Sequence, residues 1–189
     1  GLTMSSSSPT MMFDGDGDGT FGEPGDTFKA LTDGSFDIAA MDTTASTGVS
    51  VVATDSLGQS GSADFDILPA PAVSIQLSPA EQTVLAGEVA TYQTEAEDEF
   101  GNIWDATGEA SYDIDPDAGG SWLSNAYTSE VAGDWTVDAE YGEATDTAVL
   151  HVEPAVALTI SKTSLGGYAV VGEPLTYTLT VTNEGPATA

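Results

Sequence analysis

The stretch FDILPAPAVSIQLS, residues 65–78, reads as a strand, a proline–alanine joint and a second strand, and this pattern decides the fold. It recurs as VLHVEPAVALTIS at residues 149–161. Proline has no N–H for a sheet ladder and favours extended backbone, so each stretch ends one strand, forms a short stiff joint and begins another. Boundaries are therefore predicted near Ala70 and Pro154, which gives three modules: residues 1–70, 71–153 and 154–189.

The middle module, residues 71–153, has the period-two alternation of half-buried strands. Small, apolar or aromatic residues occupy every second position of residues 90–96 and 135–141, with Asp138 and Glu140 pointing the other way. Glycine-containing turn signals recur roughly every 8 to 17 residues, near the spacing of a β-sandwich. We therefore predict an all-β fold of tandem sandwich modules in a linear array, with few helices.

Several motifs of this module occur in a characteristic order: AGE at residues 86–88, AEDEFGN at 96–102, AGGSW at 118–122 and AGDWTV at 132–137. Their order and spacing resemble the bacterial Ig-like repeats of prokaryotic cell-surface proteins. The resemblance covers nearly the whole module. It implies an Ig-like sandwich and a place in a surface structure.

The outer modules resemble incomplete repeats. GVSVVATDSLGQ (residues 48–59) and ADFDI (63–67) are similar to the closing strands of another Ig-like surface repeat, whose opening strands are expected to be missing. VGEPLTYTLTVTNEGPA (171–187) is similar to the first half of a surface repeat of unknown function. Either the chain is a fragment of a longer tandem-repeat protein, or neighbouring subunits supply the missing strands by donor-strand exchange. Gly1 to Phe13 could be such a strand, and a frayed end is the alternative.

Charge restricts the partners. The chain has 31 Asp and Glu against two Lys or Arg, for a formal net charge of −29. A polyanion repels phosphate backbones and anionic lipids, which excludes nucleic acid as a partner and favours cations. Charge repulsion also destabilises a compact state unless ions screen it, so we expect a saline or calcium-containing medium. No stretch reaches the ~20 apolar residues of a membrane span.

The first candidate site is DGDGDG, residues 14–19. Aspartates at alternate positions, here Asp14, Asp16 and Asp18, can converge on one calcium ion while the glycines permit a tight turn. The twelfth position would be Gly25 and not the bidentate Glu of an EF-hand, so Glu23 or Asp26 would have to close a looser site. A solvated acidic turn is the alternative.

Two further groups of aspartates allow two interpretations each. Asp113, Asp115 and Asp117 would share one face of an extended strand and could bridge a cation, but Pro116 favours a turn. Asp55 and Asp98 occupy the same pattern, Ala-x-Asp-x-x-Gly. That pattern is typical of a turn in which the aspartate accepts hydrogen bonds from nearby amides. A calcium ligand between domains is the alternative.

Aromatic and catalytic residues offer weaker signals. Trp104 and Trp122 could stack on a sugar, or they could be core residues. His151 is the only histidine, and no Gly-x-Ser-x-Gly elbow accompanies it, so we predict that the chain is not an enzyme.

These observations together predict a structural component of an extracellular or cell-surface assembly, such as a filament, stalk, sheath or surface layer. Its partners would be copies of itself, or adjacent repeats of a longer chain, together with cations. The alternative is an adhesin or carbohydrate-binding module with a glycan partner.

Overall fold

The computed structural model describes residues 1–164 and 170–183. The strands of these residues are β1 (Leu2–Ser6), β2 (Met12–Asp14), β3 (Phe28–Lys29), β4 (Ala39–Met41), β5 (Ser46–Asp55), β6 (Ser60–Ile67), β7 (Ala72–Ser78), β8 (Glu81–Leu85), β9 (Val89–Thr91), β10 (Gln93–Asp98), β11 (Ile103–Asp105), β12 (Ser111–Ile114), β13 (Ser121–Leu123), β14 (Ala126–Thr128), β15 (Gly133–Tyr141), β16 (Ala144–Glu153), β17 (Leu158–Ser164) and β18 (Tyr177–Asn183). A single turn of 3-10 helix, Pro116–Ala118, is the one helical element of the described residues. The predicted all-β class is confirmed.

The chain divides into two compact units. The first consists of Gly1–Val73 and Glu97–Trp104, and the second of Ser74–Ala96 and the residues from Asp105 onward. The predicted boundary near Ala70 lies close to the division at Val73. Residues after Pro154 are grouped with the second unit, and the division into three modules stays a prediction.

The first unit holds a four-stranded sheet in the order β3-β1-β5-β6 and a two-stranded sheet of β2 and β4. Strand β1 pairs antiparallel with β5 from Leu2 opposite Asp55 to Ser6 opposite Val51. Every second side chain of a strand points to the same face, and Met4 on β1 is buried accordingly. Leu2–Ser6 therefore pairs with strands of its own chain, and Met12–Asp14 pairs with β4.

Strands of the second unit form a four-stranded sheet in the order β12-β15-β16-β8 and a three-stranded sheet in the order β13-β14-β9. A further sheet has the order β11-β10-β7. Strands β15 and β16 pair antiparallel from Gly133 opposite Val152 to Tyr141 opposite Ala144. Strand β8 pairs parallel with β16, and this pairing joins an early strand of the unit to a late one.

The core of the second unit follows the predicted alternation. Ala90, Tyr92, Thr94 and Ala96 are all buried, and so is Val137 on β15. Burying a large apolar side chain contributes about 1.5–3 kcal/mol. Buried residues come from strands of different sheets, as the packed layers of a sandwich require.

Strands β17 and β18 form an antiparallel hairpin with two different faces. Directly opposite residues share a face, so Ile160 and its partner Val181 lie on the same side as Leu179, while the other face carries only threonine and serine. Ile160 and Val181 are 69% and 60% exposed. Residues 184–187 of the third repeat motif lie outside the described residues.

Candidate cation site

The candidate site is the loop that follows β2, and it curls around Asp14. The Asp14 carboxylate accepts hydrogen bonds from the backbone N–H groups of Gly17 (2.6 Å) and Gly19 (3.1 Å). Asp14 is 6% exposed. Gly17 and Gly19 have φ of 82° and 91°, which favour glycine. The spacing of aspartate and glycine therefore sets the path of the loop.

Two exposed aspartates continue this loop. Asp16 accepts from the N–H of Asp18 at 3.2 Å, and Asp18 accepts from the N–H of Thr20 at 2.7 Å. One carboxylate oxygen each of Asp14, Asp16 and Asp18 lies within 4.8 Å of the others. Calcium binds oxygen at about 2.3–2.6 Å, so two ligands of one ion are at most about 5 Å apart. The three oxygens are thus close enough to share one ion.

Asp26 hydrogen-bonds to the backbone of the loop and of the segment after it. This residue is 3% exposed, and its carboxylate accepts from the N–H of Gly15 at 3.3 Å and of Glu23 at 2.7 Å. A Cβ on Gly15 would lie 2.4 Å from the Asp26 carbonyl oxygen, so only glycine fits here. Within the described residues, Asp26 and exposed Glu23 are not part of the converging group. That Glu23 or Asp26 closes a calcium site stays a prediction.

A lysine approaches the same loop. The Lys29 ammonium lies 4.0 Å from the position that a Cβ on Gly17 would take. Lys29 therefore places one positive charge near Gly17 of the loop.

Asp98, in the first unit, is a saturated carboxylate. One of its oxygens accepts from the N–H groups of Phe100 and Asn102, and the other accepts from the N–H of Ala70 and the side-chain amide of Asn102, all at 2.8–2.9 Å. Burial raises the pKa of Asp98, but the hydrogen bonds from Asn102, Ala70 and Phe100 outweigh it and lower that pKa below its usual value.

The Asn102 side chain extends this network. Its amide nitrogen donates to the carbonyl of Thr43 at 3.0 Å, and its oxygen accepts from the N–H of Ala45 at 2.9 Å. These residues and Asp98 line a cavity of about 110 Å³ in the first unit. Sequence reasoning found the turn but missed these long-range partners, because no local pattern identifies them.

The Asp55 turn has the same local hydrogen bonds. Asp55 accepts from the N–H groups of Leu57 and Gln59, both at 2.8 Å, which matches the bonds of Asp98 to the second and fourth residues after it. The prediction of turn chemistry at both positions is confirmed.

The aspartates at positions 113, 115 and 117 do not form one strand face. Asp113 lies on β12, whereas Asp115 precedes the 3-10 helix and accepts from the N–H of Asp117 at 2.9 Å. Pro116 occupies the first turn of that helix, so the turn predicted from it is confirmed.

The two tryptophans proposed as sugar contacts are both half-buried. The Trp122 ring lies 5.6 Å from that of Tyr112, 5.1 Å from that of Tyr127 and 6.1 Å from that of Tyr92. Its indole nitrogen is buried and has no hydrogen-bond partner among the described residues. Trp122 therefore packs in an aromatic cluster, and Trp104 lies on β11.

Within residues 1–164 and 170–183, no helix has the length and hydrophobicity of a membrane span. No protein-family profile matches the chain, and no curated protein matches it. Solved structures to which this chain is similar include the S-layer protein SbsC domains 4 and 5, at 12% identity and a TM-score of 0.39 over 80% of this chain and 75% of that one. SbsC domains 4–9 match at 13% identity and a TM-score of 0.40, over 100% of this chain and 29% of that one. The N-terminal four Ig domains of Dscam1 isoform 6.44 match at 16% identity and a TM-score of 0.34, over 80% of this chain and 38% of that one. At these identities and TM-scores the likenesses carry no inference about function.

Proposed function

We propose that this chain is a structural component of an extracellular or cell-surface assembly, and that calcium bound by Asp14, Asp16 and Asp18 stiffens its first unit. The observation that carries the proposal is the convergence of three carboxylate oxygens within 4.8 Å, in a loop whose amides already hold Asp14 in place. A site arranged before binding loses less entropy when the ion binds.

Charge favours calcium over other ligands of this loop. The donors are hard carboxylate oxygens, which suit calcium or magnesium. Calcium accepts irregular geometry with six to eight oxygens, whereas magnesium requires a near-ideal octahedron. Lys29 supplies one positive charge beside three aspartates, so the loop retains negative charge for a divalent ion.

The packed β-sheets of the chain support a mechanical role. His151 contacts two carboxylates, Asp134 and Glu81, on an exposed sheet face. An acidic surface with a net charge of −29 is suited to a medium that supplies screening ions. Extracellular calcium modules bind with a Kd of about 10⁻⁴ to 10⁻³ M, which fits such a medium.

The test is thermal unfolding of the intact chain in about 1 mM calcium chloride, compared with a chelator. Sodium chloride at matched ionic strength and magnesium chloride are the controls. We expect a higher Tm in calcium, because an ion that binds only the folded state stabilises it by mass action. Equal Tm values in calcium and in matched sodium chloride would leave only bulk screening and contradict the site.

Assembly is tested separately, by light scattering and negative-stain microscopy with calcium and with chelator. Particles that grow only in calcium would support cation-dependent association of copies. A monomer in both conditions would contradict the assembly while leaving the calcium result untouched.

Donor-strand exchange through Gly1 to Phe13 stays a further prediction. It would require β1 to leave both β5 and β3, to which it is paired. Deletion of residues 1–13 is therefore expected to unfold the first unit, so the exchange is better tested by mixing two differently labelled intact chains and measuring energy transfer.

A further inference from the structure

His151 lies in the middle of a three-strand group on the outer face of the second unit. It belongs to β16, which has β15 on one side and the edge strand β8 on the other. Asp134 is its direct partner on β15, and Thr83 is its direct partner on β8. The side chain can thus reach both neighbouring strands.

Both ring nitrogens contact carboxylates. Nδ1 lies 2.6 Å from Oδ1 of Asp134, and Nε2 lies 2.9 Å from Oε1 of Glu81. A carboxylate only accepts hydrogen bonds, and a neutral imidazole has a single N–H to donate. Only the protonated ring can donate to Asp134 and Glu81 at once. In the neutral ring, one nitrogen lone pair would face a carboxylate oxygen.

The charges around the ring also favour its protonated form. Asp134 from β15 and Glu81 from β8 are its charged neighbours on the flanking strands, and Glu153 lies two residues along β16 on the same face. The hydrogen bond to Asp134 and then that to Glu81 raise the pKa of His151 above its usual value, and they outweigh desolvation. The His151 side chain is 31% exposed and those of its partners more than 70%, so salt weakens the effect.

We propose that His151 is a proton-dependent clamp that fixes the edge strand β8 to β16 and β15. In the protonated state one side chain joins three strands, across the pairing of an early strand of the second unit, β8, with a later one, β16. In the neutral state the ring can donate to only one of the two carboxylates, so its side chain no longer hydrogen-bonds to both β8 and β15 at once. This device is independent of the calcium site in the first unit.

The sign of the pH dependence follows from the direction of the shift. Since the folded-state pKa is raised above the unfolded value of about 6.5, the stabilisation is fully present below that value. It is lost as the pH rises through the folded-state pKa. Mild acid should therefore tighten the clamp, and alkaline solution should release it.

The first experiment is an NMR titration of the ring protons, which the single histidine makes unambiguous. We expect a pKa above that of the double variant Asp134→Asn, Glu81→Gln, in which neither neighbour is charged. Equal pKa values in the two proteins, or a lower one in the wild type, would overturn the proposal.

The second experiment compares the Tm of the wild type and of His151→Gln between pH 5 and pH 9. Both proteins carry the same acidic groups, so their general charge repulsion cancels in the difference. We expect the Tm of the wild type to exceed that of His151→Gln by about 2 °C or more at pH 5. At pH 9 the two Tm values should be equal. A difference that does not change with pH would show a merely structural histidine and overturn the clamp.

Discussion

Two acidic loops of the first unit, at Asp14–Gly19 and at Asp98–Asn102, use their carboxylates in opposite ways. Each oxygen of Asp98 accepts two hydrogen bonds. Each oxygen of Asp14 accepts one. An ionised carboxylate has about four lone-pair sites, so Asp98 is fully used and Asp14 retains capacity.

Burial alone does not distinguish the two aspartates. Asp14 and Asp98 are both buried, at 6% and 2% exposure. What differs is whether backbone and amide donors take all of the lone pairs, and whether other carboxylates converge. The lone pairs of the saturated turn are all used within the protein, whereas the proposed calcium site would use those that remain free in the open loop.

The largest effect is expected for Asp98→Ala. It leaves the N–H groups of Ala70, Phe100 and Asn102 without their acceptor, and we expect the Tm to fall by about 5–10 °C. The fall should be the same with calcium and with chelator, because no ion is involved. Asp55→Ala is the matched control, since it removes the same local bonds from an exposed turn, and it should cost less than half as much. Equal losses in the two variants would show that the long-range partners of Asp98 contribute nothing.

An intermediate effect is expected for Asp14→Asn. The asparagine side chain has a single acceptor oxygen, so the N–H of either Gly17 or Gly19 loses its acceptor. We therefore expect the Tm, measured with chelator, to fall by about 2–4 °C. The neutral side chain should also weaken calcium binding about tenfold or more, measured by calorimetric titration, because affinity follows the charge of the ligands. Asp64→Asn removes one exposed charge from β6 and should leave the binding unchanged. Unaltered affinity in Asp14→Asn would contradict the site.

The smallest effect on the fold is expected for the double variant Asp16→Asn, Asp18→Asn. Both residues are exposed, so the Tm with chelator should change by about 1 °C or less. The rise in Tm on adding calcium should nevertheless largely disappear. A calcium response as large as that of the wild type would place the ion elsewhere and remove the contrast between the two loops.

Local patterns in the sequence predicted the local parts of this structure. The alternation around Tyr92 identified core residues because a strand fixes which side chains share a face. The spacing of Asp14, Asp16 and Asp18 predicted a converging loop for the same kind of reason, since the bonds that these three aspartates accept within the loop span five residues or fewer.

Features that depend on distant residues were not predictable. The long-range partners of Asn102 are Thr43 and Ala45, more than fifty residues away. Trp122 packs against tyrosines from three other parts of the chain, so its burial depends on how sheets meet. The Ser-rich segment that forms β1 has little apolar pattern, and its place in a sheet comes from the partner strands β3 and β5.

The parallel pairing of β8 with β16 determines how the second unit would respond to force. Glu81, at the start of β8, lies opposite Val149, and Leu85 lies opposite Glu153 at the end of β16. Tension that enters before β8 and leaves after β16 pulls the two strands in opposite directions along their length. It loads their hydrogen bonds in shear, so that the bonds resist together and do not peel apart one after another. Such an element is well placed to carry tension along a chain.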